Sequence, residues 1–333
     1  MTTGDSRGEE VVLHRVLDGS GTEVVINGVT ASEVIQKIRV ARDRSLRKLR
    51  IDVSLRQLLG DEHVVFSLKT GPLGDYTWMM LTAYFDESHD ERFQMTFVCG
   101  WLASAEQWAQ FGYDWKLFLA KNNVPHFHMR EFAHSVGAFS KWKGKEGTRR
   151  GFMRGAAGII SDTIQRGFLC CVSDQIFEDF DKKYELRNYF RSPYSLAGRT
   201  CANLVAEWAS APTTFPRNDI DYVFEDGADD KGGLMDAMKL KPRLADPIFL
   251  PGKDQKPTRK YPNGRKATVQ LQSADYLAYE IGKFAREHQN IKVDPSKFRA
   301  SFGILPEKKV KKMFFTERKM EILCGMMGIP RRP

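Results

Sequence analysis

The chain is poor in cysteine. Its five thiols, Cys99, Cys170, Cys171, Cys201 and Cys324, are odd in number, and no Cys-x-x-Cys pair occurs. Cys170 and Cys171 are adjacent within an apolar run and can hardly bond to each other. This excludes a disulfide framework and predicts reduced, buried thiols in a cytosolic protein. A transition-metal centre is equally short of His and Cys ligands at useful spacing. No apolar run reaches the ~18 residues that a membrane span needs, so no membrane partner is expected. The opening residues, MTTGDSRGEE, are polar and acidic, which argues against a secretory leader and for a cytoplasmic location. Internal repeats and low-complexity blocks are also missing.

What is present is ample core material and an excess of positive charge. With 333 residues, 42% hydrophobic and 11% aromatic, the chain supports one large domain or two ordinary ones. The net charge of +9 and the pI of about 9.2 favour a polyanionic partner, nucleic acid before membrane, through counterion release.

Three regions separate along the chain. Residues 1–75 read as an accessory region. TEVVINGVT is a hairpin with Asn27-Gly28 at its turn, and VTASEVIQKIRVARDRSLRKLR follows as a basic amphipathic helix reaching about Arg50. That helix is a candidate dock for an acidic protein partner, or a solvated basic face. Residues 76–290 alternate strand and helix patterns, the signature of an α/β core. Strands are expected at 78–86, 93–103, 167–174, 220–227 and ATVQL (267–271). Helices are expected at 104–121, 147–166, 192–210 and in QSADYLAYEIGKFAREH (272–288). A Gly-, Pro- and charge-rich insertion interrupts this core at about 227–266. Residues 291–333 read as a basic tail, with Lys308, Lys309, Lys311 and Lys312 clustered.

Carboxylates interrupt otherwise apolar elements at only a few places. Asp86 ends the run LTAYFD, Glu225 and Asp226 end IDYVFED, and Asp275 sits early in the last long helix. Like charges brought close together cannot all stay ionised unaided. Hard divalent cations resolve such a cluster. Two of them, ~4 Å apart, can bind both the attacking water and the leaving oxygen of a phosphodiester. Each acid also has an ordinary explanation, as a turn residue or as a complement to the helix dipole.

YFDESHD, HFHMREF (126–132), VFEDG (223–227) and LQSADYLAY (271–279), in this order, resemble the bacterial and phage family catalogued as Domain of Unknown Function 3800 (DUF3800), similar to the ribonuclease H-like superfamily. The resemblance covers about residues 78–288. It implies a mixed sheet with helices on both faces and a divalent-metal site, Mg²⁺ or Mn²⁺ and two ions, on Asp86, Glu225 and Asp275, with Asp226 competing for the place of Glu225. The superfamily implies a metal-dependent nuclease acting on RNA or DNA. The alternatives are a non-catalytic nucleic-acid-binding protein, or an interaction component of a phage-defence or toxin-like system.

Around these acids stand further candidates. Asp86 and Glu87 must point to opposite faces of an alternating strand, so Asp86 is assigned to the metal, and Glu87 and Ser88 to the hairpin or substrate. His128 is a candidate general acid/base or phosphate contact, or a histidine packed on aromatic neighbours. Glu131 and Gln272 are candidate outer-shell groups. The insertion segment PGKDQKPTRKYPNGRKAT supplies Lys253, Lys256, Arg259, Lys260, Arg265 and Lys266, with Tyr261 placed to stack on a base. A solvated basic loop is the alternative. Asp174 is a distant reserve ligand.

Overall fold

The computed structural model describes residues 81–210, 220–241, 244–259, 261–288 and 310–333, with side chains through 283 in the helix ending at 288. It also gives the backbone of three strands before residue 70. These three strands, β1 (Leu13–Leu17), β2 (Lys48–Ser54) and β3 (His63–Lys69), form an antiparallel sheet in that order. The expected hairpin and most of the expected basic helix lie outside the described residues. Lys48–Arg50, expected at the end of that helix, belong to β2 instead. In KLRIDVS the apolar residues Leu49, Ile51 and Val53 alternate with polar ones, and that period-two pattern selects a strand.

The larger sheet is mixed and has six strands: β4 (Leu81–Asp90), β5 (Met95–Ser104), β6 (Arg166–Ser173), β7 (Ile220–Glu225), β8 (Ile248–Leu250) and β9 (Val310–Phe314). Their spatial order is β8-β7-β4-β5-β6-β9. β4–β5 and β5–β6 pair antiparallel, and the other three pairs are parallel. The β4–β5 turn is set by Asp90, whose Oδ1 accepts from the amides of Arg92 and Phe93, a side-chain-closed turn of the kind Asp favours.

Among the described residues, eight α-helices cover both faces. On one side lie α1 (Ala105–Lys121), α2 (Met129–His134), α3 (Glu146–Thr163) and α7 (Val269–His288). On the other lie α4 (Asp174–Lys183), α5 (Pro193–Ala209), α6 (Lys231–Lys239) and α8 (Glu317–Met327). Successive β4 residues feed the two cores in turn: Tyr84 joins the first, and Ala83 and Phe85 the second. Burial on both faces explains why these strands read as nearly continuous apolar runs.

Local signals start the helices where expected. Ser104 and Gln107 form a capping box for α1, and Ser192 caps α5 with Pro193 in its first turn. The Trp108, Phe111 and Trp115 stripe is core. Each such ring buries about 150–250 Å², worth roughly 4–6 kcal/mol at ~25 cal/mol/Å². Their indole N–H groups are satisfied, Trp108 by the Thr82 carbonyl (2.8 Å) and Trp115 by Gln272 (3.0 Å).

One expectation is corrected, and two regions read by composition alone gain elements. ATVQL is no strand: α7 starts at Val269, after Thr268 donates its amide to the Pro251 carbonyl at 2.7 Å. The insertion holds α6 and β8. The basic tail contributes β9, which pairs with β6, and α8, whose Met320 and Cys324 are buried. Lysine-rich spelling hid Val310 and Phe314, the apolar ends of that edge strand.

Candidate functional site

β4 and β7 run parallel in a register that aligns Phe85 with Phe224. The next residue on each is an acid, so Asp86 and Glu225 emerge side by side. α7 crosses over β4 and β5 from the first face and adds Asp275. Asp86 is 5% exposed, with the Glu225 carboxyl beside it.

The electrostatics follow from this crowding. Burial pushes Asp86 well above the ordinary carboxylate range. The Glu225 hydrogen bond and the charges of Glu225 and Asp275 add to the effect, against a bond from the Glu87 amide at 2.8 Å. Burial likewise raises Asp275 to about 7, with Glu225 and Glu131 raising it further. The Met129 amide at 2.7 Å and the charge of Lys253 oppose that rise. The pocket thus concentrates carboxylates that cannot all ionise.

Glu87 has the opposite strand parity to Asp86. It is raised to about 7 by burial, then by Asp229 and Glu225. Ser88 is half-buried two residues beyond Asp86, paired in register with Phe97.

His128 occupies the N-cap position of α2 without a side-chain capping bond. Burial, and then Lys253, hold its imidazole below the ordinary value, while Glu131 and Glu225 pull the other way. Its Nδ1 lies 3.6 Å from a Glu131 oxygen and makes no hydrogen bond among the described residues. Glu131 is more firmly tied elsewhere, to His126 Nε2 at 3.2 Å and the Ala138 amide at 3.3 Å. Burial would raise Glu131; those donors outweigh it and hold it low. Gln272 does not face the acids with a free oxygen. Its Oε1 accepts from Trp115 and from the Phe127 amide at 3.1 Å. It braces the segment whose Met129 amide reaches Asp275.

Asp226, the competitor for the place of Glu225, is engaged elsewhere. Its carboxylate is taken by Lys231 and Arg265, and these donors hold it low despite burial. Two cations already neutralise it, so no ion is needed. The insertion cations also divide. Arg265 is committed to Asp226 and to the Phe249 carbonyl at 2.9 Å, and its guanidinium covers the Tyr261 ring at 4.8 Å. That cation occupies one face of the ring assigned to base stacking. Lys266 pairs with Asp254 at 3.2 Å. Lys253, Lys256 and Arg259 are exposed, and Lys260 lies outside the described residues. Asp174 is also apart from the acids, bonded to His89 (2.8 Å) and Thr96 (3.1 Å).

Among the described residues, no three His, Cys, Asp or Glu side chains are grouped so as to hold a metal ion as they stand. The chemistry of the donor set nevertheless fits a hard cation. Asp86, Glu225 and Asp275 offer oxygen donors only, and a cation would relieve the crowding that raises Asp86 and Asp275. Three contributors escaped the sequence reading. The Met129 amide and the Asp229 charge depend on tertiary placement. Gly252 is more legible, being a glycine just after a strand: a Cβ there would stand 2.3 Å from Glu225 Oε1.

Among the described residues no helix is long and apolar enough to cross a membrane. No protein-family model, curated protein or solved structure matches the chain.

Proposed function

We propose that this chain is a divalent-metal-dependent nuclease on a ribonuclease H-like sheet, with Asp86, Glu225 and Asp275 as the metal-holding carboxylates. The observation that carries the reading is the parallel register that sets Glu225 beside buried Asp86, with Asp275 near enough for the crowding to raise both Asp86 and Asp275. Acids at the first core strand, at a neighbouring central strand and on a late helix are also what the resemblance to the Domain of Unknown Function 3800 family implies. Mg²⁺ or Mn²⁺ bound there would supply Lewis acidity for phosphodiester hydrolysis. The chain's own groups do the rest. The Met129 amide holds the Asp275 carboxylate in orientation. His128, kept neutral by burial and by Lys253, can accept a proton at neutral pH. Lys253, Lys256 and Arg259 hold the phosphate backbone, and such contacts position rather than read sequence.

A second reading, a nucleic-acid-binding protein whose acid pocket does no chemistry, is favoured by the lack of a ready metal-ligand group among the described residues. The two separate on turnover. RNA and DNA panels are incubated with Mg²⁺ or Mn²⁺, with chelator, and with Asp86→Asn or Asp275→Asn. The nuclease reading expects cleavage that chelator and either substitution abolish while the fold persists. Cleavage surviving both substitutions sinks the site assignment, and salt-dependent binding without turnover under either metal selects the second reading.

A further inference from the structure

The basic loop 251–268 is not a loose appendage. Its two limbs pair through Gln255 and Arg265, with N–H···O distances of 2.8 and 3.1 Å. Gly264, at φ +70°, turns the chain where a Cβ would stand 2.4 Å from the Gln255 carbonyl, a position that favours glycine. The neck is closed by the Thr268 amide on the Pro251 carbonyl (2.7 Å), and the Ala267 amide donates to Asp254 at 2.9 Å. One side chain of the loop, Arg265, reaches back to the sheet. It meets the Asp226 carboxylate and the Phe249 carbonyl of β8, and Asp226 also takes Lys231 at the start of α6.

The consequence lies at the other limb. Gly252 rests against the Glu225 carboxylate, and Lys253 follows it. The charge of Lys253 acts on both Asp275 and His128. Lys253 therefore stands at the rim of the acid pocket, and the junction that fixes its limb is the residue next to Glu225.

We propose that Asp226 is a latch, a positioning residue that ties the basic loop to the end of β7 through Arg265 and thereby holds Lys253 at the rim of the acid pocket, where it meets an anionic oxygen of the substrate. The identity of that oxygen, a nucleic-acid phosphate, rests on the nuclease reading; the latch does not. A loop held by two charge-assisted contacts at one point opens locally when they are lost, without global unfolding.

The test uses the full chain. Hydrogen exchange is followed at the Gln255 and Arg265 amides in wild type, Asp226→Asn, Arg265→Gln and the double variant. The latch expects exchange about tenfold faster or more in each single variant, and little further gain in the double variant, because the two groups act as one unit. Binding of a short fluorescent oligonucleotide is then titrated against salt in metal-free buffer. Lys253→Gln should weaken binding and reduce the log–log salt slope by roughly 0.7–0.9, one phosphate's worth, while Lys253→Arg keeps the slope. Asp226→Asn should weaken binding in the Lys253 background and add nothing in the Lys253→Gln background. Unchanged exchange, or equal weakening in both backgrounds, overturns the proposal. Faster exchange in a protein that binds no oligonucleotide upholds the latch and sinks the nuclease reading.

Discussion

Neutralising Asp275 should make the metal-free protein more stable at neutral and alkaline pH. Its carboxyl is raised from an ordinary 3.8 to about 7 because burial and Glu225 disfavour the charge. A group whose folded value is raised holds its proton in the native state after the unfolded chain has lost it. Stability is therefore highest below about pH 4 for this group and falls as pH climbs to about 7. Each pH unit of that interval costs about 1.4 kcal/mol, so the whole interval costs about 4 kcal/mol. Asp275 keeps some contact with water, and screening brings the expected figure to roughly 2–4 kcal/mol. In Asp275→Asn the amide oxygen can still accept from Met129. The variant should thus match wild type near pH 4 and exceed it by roughly 2–4 kcal/mol at about pH 8, measured by urea denaturation with chelator present. Saturating Mg²⁺ should then restore wild type, by about 2.7 kcal/mol at a hundredfold excess over Kd, and leave the variant unmoved. A variant that is destabilised equally at both pH values would show that Asp275 is not under charge stress, and the argument from crowded carboxylates would fail.

Gly252→Ala places a Cβ 2.3 Å from Glu225 Oε1; turnover should fall about tenfold or more, from a misplaced ligand, while the melting temperature moves little. Trp115→Phe removes one of the two donors to the Gln272 oxygen and leaves the Phe127 amide; denaturation should show a loss of about 0.5–1.5 kcal/mol for that bond. His128 is held below its ordinary 6.5, so kcat/KM should fall on the acid side with an inflection below that value, and His128→Gln should remove the inflection.

Much of the core was legible because its elements carry redundant local signals. The Trp108–Phe111–Trp115 spacing, the Ser104 and Ser192 caps and the apolar runs of β4 and β5 each point to the structure observed. The failures fall where tertiary context decides. ATVQL has strand-forming residues, yet Thr268 closes the neck of the basic loop and the helix begins beyond it. Val310–Phe314 is spelled with two lysines and still completes a sheet edge, where one side of a strand need not be buried.

The acids teach the same lesson at finer grain. Asp86, Glu225 and Asp226 look alike in sequence, each a carboxylate at the end of an apolar run. What separates them is what the fold brings opposite. Glu225 is set beside Asp86 by the parallel register of β7 on β4, and neither has a cation within bonding distance among the described contacts. Asp226, one residue on, meets Lys231 and Arg265. Asp226 lies in the turn just past the end of β7, so a single step along the backbone converts an acid that crowds other acids into one that anchors a loop. The charge stress in the pocket and the charge balance at its rim are consequences of the same strand ending, and a shift of β7 by one residue would destroy both.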